Sequence, residues 1–183
     1  MTVSVGEAGE AIPPQGASVS VPADLFRQGM RRVPGAVAII ATAHGGDRRG
    51  FTATAWCSLS VDPPTLLVCA NRSGGAHDLI AASRIFTVNQ LAVGQHDVAG
   101  VFSGAGGVAG GDRFKAAGSW STLATGAPVL DKAVANYDCE LVESVRYTTH
   151  SVFMGRVVAT RLDDSIEPLV YLLGGYGEFG AAS

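Results

Sequence analysis

Charged residues and basic runs are scarce in this sequence of 183 residues. Only 16% of the residues are charged, against 47% hydrophobic, and the formal net charge is -3. The basic residues that stand together form isolated pairs, Arg31-Arg32 and Arg48-Arg49. An acidic chain without a basic patch argues against nucleic acid or an anionic membrane as its main partner. The low charge content also predicts apolar surface buried against a second copy of the chain.

Cysteine motifs, long apolar runs and targeting signals are missing too. Cys57, Cys69 and Cys139 show no C-x-x-C spacing and all lie in apolar segments, which predicts buried free thiols in a reducing compartment. No run of about 18 apolar residues exists, which argues against a membrane span. The N-terminus lacks the basic-then-apolar pattern of a signal peptide. These absences predict a cytoplasmic protein.

Familiar catalytic signatures are also absent. The four histidines have no H-x-x-H or H-x-x-x-H spacing and no cysteine at ligand spacing, so we predict no metal site. No G-x-S-x-G elbow occurs, and the carboxylates around Asp163 indicate a solvated turn. A chain without an evident protein nucleophile fits chemistry carried by a bound cofactor.

The hydrophobic pattern predicts one domain after a disordered tail. Residues 1–20 are rich in Gly, Ala, Ser and Pro without periodicity, whereas 21–183 suffice for a single core. Apolar β-branched segments predict strands over 36–42, 50–60, 65–71, 85–91, 133–145, 150–162 and 168–173. Three short helices are predicted near 22–33, 77–82 and 95–102, with flexible glycine-rich loops at 103–111 and 174–177. The lack of βα alternation favours an antiparallel barrel or sandwich with peripheral helices.

Small hydroxyl residues cluster between Gly50 and Arg72. In an extended strand, Thr52, Thr54, Ser58 and Ser60 would share one face, where a flat polar ligand could reach the backbone. The strand propensity of threonine explains the same pattern without any ligand. Both interpretations stay open on these residues alone.

Asn71, Arg72 and Ser73 follow a predicted strand and form the best candidate anion site. They offer neutral donors and a guanidinium fork, and the N-terminus of the helix near His77 would add its dipole. An ordinary strand-to-helix turn would use the same residues. His150 begins a strand after a tight turn, and fits a structural histidine as well as a ligand contact.

An ordered series of short motifs resembles the short-chain flavin reductase family, the small reductase components of two-component flavin-dependent monooxygenases. The series runs through nearly all of residues 22–177, and its order is specific although each piece alone is weak. Its members are Phe26–Met30, Pro34–Val37, Gly50–Ala55, Ser58–Ser60, Asp62–Pro64, Asn71–Ser73, Phe86–Asn89, Phe102–Gly104, Asp112–Phe114, Gly126–Leu130, His150–Val157 and Pro168–Tyr171.

The resemblance implies a mainly β fold with peripheral helices: a Greek-key split β-barrel of the FMN-binding type, in a homodimer with flavin near the subunit interface. It implies an NAD(P)H:flavin oxidoreductase that transfers hydride from NADH or NADPH to FMN or FAD and supplies a partner monooxygenase. Its implied catalytic residue, at the nicotinamide side of the flavin, is His150. Its implied cofactor-binding residues are Thr52, Ala53, Thr54, Ala55, Ser58, Ser60, Asn71, Arg72, Ser73 and Phe102.

Two departures from the family pattern stand out. Thr148-Thr149 precede His150, where the family often has Gly-Asp or Gly-Thr, and Leu172–Gly175 stand where many members carry an arginine after the strand tyrosine. The second departure motivates an alternative, a flavin-binding protein without nicotinamide oxidase activity, such as an electron carrier. The residues do not distinguish FMN from FAD, or NADH from NADPH.

Overall fold

The computed structural model describes residues 20–165 and 167–178. The tail predicted over 1–20 lies outside the described residues, apart from Ser20. The helices are α1 (Ala23–Met30), α2 (Gly75–Ser83), α3 (His96–Ser103) and α4 (Arg113–Ala116), with 3-10 turns at Ala105–Gly107 and Gly110–Asp112. The strands are β1 (Gly35–Ala36), β2 (Ala38–His44), β3 (Asp47–Ala53), β4 (Trp56–Val61), β5 (Pro64–Asn71), β6 (Ile85–Gln90), β7 (Trp120–Thr122), β8 (Pro128–Leu130), β9 (Ala135–Tyr147), β10 (His150–Leu162), β11 (Leu169–Leu172) and β12 (Gly175–Glu178).

Seven antiparallel strands form the main sheet, in the order β3-β2-β6-β9-β10-β5-β4. Laid flat, six spacings of about 4.8 Å would place the outer strands about 29 Å apart. Those outer strands are β3 and β4, and Ala53 and Trp56 are only three residues apart, which allows at most about 11 Å. The sheet must therefore curl until its edges approach each other, which gives a split β-barrel. Two small sheets, β1-β11-β12 and β7-β8, complete the fold.

Strand β2 divides the core into two clusters. Ala38 and Ile40 pack with Val88, Phe86 and Phe153 on one side of β2. The other side holds Val37, Ile39, Ala41, Leu91, Val98, Ala99, Phe102, Phe114, Leu130 and Leu169. Coverage of this strand on both faces, predicted from its uninterrupted apolar run, is confirmed.

The predicted burial of the first helix is wrong within this chain. Phe26, Met30 and Val33 are 60%, 50% and 55% exposed, and no residue of α1 is buried. The apolar spacing is helical, but no surface within residues 20–165 and 167–178 covers it. No helix in the described ranges is long and apolar enough to cross a membrane.

Three other local predictions also need correction. The strand predicted over 50–60 is interrupted, because β3 ends at Ala53 and β4 begins at Trp56. The loop predicted over 174–177 contains most of β12, which pairs with β11. Cys57 is exposed on β4, Cys69 is half-buried and Cys139 is buried. The prediction that all three thiols are buried is therefore wrong.

Candidate functional site

The interruption between β3 and β4 carries the first part of the candidate site. The Thr52 hydroxyl donates a 2.7 Å hydrogen bond to the carbonyl oxygen of Ala99 in α3. Ala53 is buried, whereas Thr54 and Ala55 are exposed in the interruption. Thr52 therefore fixes β3 to α3, and Thr54 and Ala55 are the more accessible residues of this segment.

A groove of about 810 Å³ opens in front of this interruption, between α1 and β1. Gly35, Thr54, Ala55 and Tyr171 line it. A Cβ added at Gly35 would lie only 2.9 Å from the Cβ of Thr54. This close approach of β1 requires a glycine, and it keeps the groove clear of a side chain where a flat ring could lie.

A smaller cavity of about 270 Å³ shares two lining residues with the groove. Tyr171, Tyr176 and Ser103 line it with Thr52–Thr54, and the two tyrosine rings meet edge to face with centroids 5.4 Å apart. Burial raises the pKa of the Tyr176 hydroxyl, and the neighbouring Tyr171 adds to the rise. Tyr176 was not predicted as a site residue because it stands between glycines in a predicted loop, where its aromatic side chain is the one signal in the sequence.

Internal hydrogen bonds organise the turn after β5. The Asn71 Oδ1 accepts hydrogen bonds from the Ser73 backbone N–H at 3.0 Å and from the Ser73 hydroxyl at 2.9 Å. The Arg72 guanidinium donates to the carbonyl oxygen of Thr148 at 3.0 Å, and the Arg72 backbone N–H donates to that of Thr149 at 2.9 Å. Arg72 thus ties this turn to the β9–β10 turn. Most of its five guanidinium donors stay available on an exposed surface.

His150 begins β10 directly opposite Asn71 of β5. Its Nδ1 lies 2.9 Å from the Thr149 hydroxyl, and the side chain is exposed. The strand register therefore brings His150 to the same end of the sheet as the Asn71–Ser73 turn. A polar basin of about 640 Å³ at this end is lined by Asn71, Arg72, Ser73, His77, Asp78, Arg146, Thr148 and Thr149.

A buried histidine braces this end of the sheet from inside. His77 Nε2 lies 2.9 Å from the Ser151 hydroxyl, Nδ1 lies 2.8 Å from the Asp78 carboxylate, and the ring packs on Phe153 at 5.2 Å. Since a carboxylate only accepts hydrogen bonds, we assign the proton to Nδ1 and let Nε2 accept from Ser151. The chain of contacts resembles a catalytic triad, but Ser151 is 1% exposed, so its hydroxyl holds the strand and cannot attack a substrate.

Strand β5 connects the two parts of the site. The Cys69 backbone N–H donates to the carbonyl oxygen of Ala55 at 2.9 Å, and Asn71 follows two residues later on β5. Two strand residues span about 7 Å. The Thr54–Ala55 interruption, the Asn71 turn and His150 therefore lie along one continuous edge.

Three residues predicted for the cofactor lie elsewhere. Ser58 and Ser60 line a separate cavity of about 540 Å³ beside Trp56 and Tyr137. They do not share a strand face with Thr52 and Thr54, because the interruption and a register shift between Ser58 and Ser60 separate them. Phe102 is 1% exposed in the core; its ring packs against Phe114 and Trp120. The motif spacing alone could not show which way these side chains face.

Comparison with known proteins decides the family. The profile described as Flavin reductase like domain matches residues 30–180. The chain belongs to the flavin reductase-like family. The FMN reductase (NADH) RutF of Stutzerimonas stutzeri (strain A1501) is 44% identical over 146 residues, which cover 80% of this chain and 82% of that one.

Solved structures of flavin reductases share the fold. Streptomyces globisporus C-1027 NADH:FAD oxidoreductase SgcE6, solved in complex with NAD and FAD fragments, matches with a TM-score of 0.81 at 25% identity, over 91% of this chain and 99% of that one. The styrene monooxygenase flavin reductase of Pseudomonas putida S12 matches with a TM-score of 0.76 at 26% identity, over 86% and 99%. The predicted split β-barrel is thereby confirmed.

The residues along the edge fit a flavin in polarity and shape. The Asn71 side-chain amide and the Arg72 guanidinium offer donors that suit a phosphate. The glycine-lined groove with Tyr171 at its side suits a planar ring. Across residues 20–165 and 167–178, no group of three or more His, Cys, Asp or Glu could hold a metal ion.

Proposed function

We propose that this chain is an NADH-dependent flavin reductase that transfers hydride to FMN and releases reduced flavin to a partner monooxygenase. One observation carries the proposal: the strand register aligns the Thr54–Ala55 interruption, the Asn71–Ser73 turn and His150 along one edge. The name of the Stutzerimonas relative supports FMN and NADH, and that of the Pseudomonas structure supports a monooxygenase partner.

The chain's own task is binding and orientation. The bound flavin supplies the two-electron chemistry. Donors of the Asn71–Ser73 turn hold its phosphate, and Gly35 and Ala55 leave room for its ring beside the strand interruption. Hydride transfer needs the two rings stacked at about 3–3.5 Å, so the walls of the groove contribute mainly by fixing that geometry.

We assign His150 to the nicotinamide, which it contacts without exchanging a proton. Its exposed ring stands beside the proposed phosphate turn, and Thr149 orients it through Nδ1. In His150→Ala we expect a higher KM for NADH, a lower turnover, or both. The matched control is His44→Ala, which removes another exposed histidine at the far end of β2. An unchanged KM for NADH and an unchanged turnover in His150→Ala would contradict this role.

A single spectrophotometric assay tests the proposed function. Oxidation of NADH and of NADPH is followed with and without added FMN or FAD, and we expect NADH consumption that requires flavin. A protein that binds flavin but does not bleach under anaerobic NADH would instead be a flavin-binding protein without nicotinamide oxidase activity. A protein without flavin affinity would be a non-catalytic interaction module.

We also propose a homodimer, which the apolar side of α1 supports. Phe26, Met30 and Val33 leave half or more of their surfaces exposed, and a helix of this kind normally buries its apolar stripe. A second copy is the occupant that every preparation of the chain provides. Sedimentation equilibrium should give twice the chain mass, and Met30→Glu should shift it towards the monomer. A monomeric wild type would contradict the proposal.

The domain extent and the location are also proposals. A single flavin reductase domain over 21–183 is supported by the family match to 30–180. A cytoplasmic location is supported by the three free cysteines, since free thiols persist in reducing compartments. Limited proteolysis should remove only residues before about 21, and cell fractionation should place the chain with cytoplasmic markers.

A further inference from the structure

The side chain of Arg31 places a cation at the rim of the groove, apart from the residues assigned to the flavin. Arg31 directly follows α1, and its side chain lines the groove together with Gly35, Thr54 and Tyr171. This position puts a guanidinium next to the surface on which the rings are proposed to stack.

The two arginines nearest Arg31 in the sequence, Arg27 and Arg32, differ from it in their contacts. Arg27 forms an ion pair with Asp24, and Arg32 donates to the carbonyl oxygen of Gln28 at 2.6 Å. Within 20–165 and 167–178, no ion pair or side-chain hydrogen bond involves the Arg31 guanidinium. As far as the described residues go, all five of its donors are available to a ligand.

Backbone hydrogen bonds hold Arg31 in place. Its N–H donates to the carbonyl oxygen of Arg27 at 3.0 Å, and its own carbonyl oxygen accepts from the Leu173 N–H at 2.8 Å. These contacts fix the end of α1 against the turn between β11 and β12. A ligand-binding side chain on a fixed backbone loses less conformational freedom when the ligand arrives.

Gly174 makes room for the Arg31 side chain. Its φ of +90° is a conformation that favours glycine, and an added Cβ would lie 3.1 Å from Arg31 Nη2. The turn Leu172–Gly175 contains no charged residue of its own. The positive charge at this turn therefore comes from α1.

We propose that Arg31 binds a phosphate of the nicotinamide dinucleotide, an inference that rests on the proposed reductase function. A guanidinium with free donors matches phosphate oxygens in charge and geometry. The flavin phosphate is assigned to the Asn71–Ser73 turn, beyond the strand interruption, so the anion at Arg31 belongs to the second ligand. Asp24 also lines the groove, but its pairing with Arg27 reduces its repulsion of an anion.

Steady-state kinetics at saturating FMN test this assignment. In Arg31→Gln we expect the KM for NADH to rise about tenfold, which corresponds to about 1.4 kcal/mol, with kcat retained. The KM of Arg31→Lys should lie between those of the wild type and Arg31→Gln, because lysine keeps the charge but loses the planar fork. The matched control is Arg32→Gln, which removes the same charge one residue away and should leave the KM unchanged. Added salt should raise the wild-type KM more than that of Arg31→Gln.

A hydride donor without phosphate completes the test. With 1-benzyl-1,4-dihydronicotinamide, Arg31→Gln should react at the wild-type rate. An unchanged KM for NADH would overturn the proposal, as would an equal loss of rate with the phosphate-free donor. A weaker FMN affinity of Arg31→Gln with an unchanged KM for NADH would also overturn it, because Arg31 would then bind the flavin. Failure of the wild type to oxidise NADH would instead refute the reductase function itself.

Discussion

Replacing Ser151 by alanine would test whether the buried His77 holds together the two binding elements at the end of the sheet. Ser151 directly follows His150, and His77 lies in the first turn of α2, just after the Asn71–Ser73 turn. Their 2.9 Å hydrogen bond links α2 to β10, beside the packing of the His77 ring on Phe153. Without it, the contacts of Arg72 with Thr148 and Thr149 and the packing of the His77 ring on Phe153 remain, but the buried polar link between helix and strand is lost.

The size of the effect follows from burial. Ser151 and His77 are 1% and 7% exposed, so water cannot readily replace the lost hydroxyl. An unsatisfied buried polar group costs about 1–3 kcal/mol. For a chain of this size, each kcal/mol shifts Tm by about 2–4 °C, so Ser151→Ala should lower Tm by about 2–12 °C. FMN and NADH should both bind more weakly, because both proposed contacts lie at this end.

Thermal unfolding and flavin titration of matched variants provide the assay. His77→Gln can keep a polar atom near the Nε2 position, whereas His77→Phe keeps a ring against Phe153 but no hydrogen bond. We expect His77→Gln to retain more FMN affinity than His77→Phe, and the effects of His77→Phe and Ser151→Ala to be strongly non-additive. Wild-type Tm and FMN affinity in Ser151→Ala would refute the reasoning.

Three further predictions concern other parts of the chain. Phe102→Leu should lower the free energy of unfolding by about 1 kcal/mol. Because the ring lies in the core, the FMN dissociation constant, measured by fluorescence quenching, should stay unchanged. A hydrogen bond from the Ser121 hydroxyl helps to lower the pKa of Asp131 in the folded protein. The ionised carboxylate therefore stabilises the fold at pH values above the pKa of Asp131 in the unfolded chain, and this stabilisation is lost as pH falls through the pKa in the folded protein. Asp131→Asn should flatten the acid side of a curve of Tm against pH. A maleimide at pH 8 should label Cys57 in the native protein and Cys139 only after denaturation, since burial raises the Cys139 pKa to about 12.

Strands with strong local signals were predictable from the sequence. The apolar run that became β2 and the alternation that became β10 were placed within about two residues of their observed ends. The interruption at Thr54–Ala55 was not predictable, because the β-favouring residues Phe51, Thr52, Thr54 and Trp56 continue through it without a Gly or Pro between them. Its cause is the closure of the barrel, which depends on the whole sheet and not on local propensity.

The site was predictable in part because its polar turn has a local signature. Asn71, Arg72 and Ser73 were chosen for their donors, and the structure places them opposite the strand end that carries His150. Contributions that depend on distant packing were missed. Arg31 reaches the groove only because α1 ends against the β11–β12 turn, and no spacing in the sequence relates residue 31 to residue 174.

The same interruption also explains why a flavin suits this site. In a continuous strand, the backbone of Thr54 would be paired in the ladder. In the described part of the chain, Thr54 takes part in no backbone hydrogen bond, whereas the Ala55 carbonyl is already taken by Cys69. A ligand here must therefore offer both donors and acceptors along an edge, be flat enough for a groove floored by Gly35, and end in an anion near Asn71. An isoalloxazine ring with its phosphate tail meets all three conditions, whereas a lone phosphate or an apolar ring meets only one or two of them.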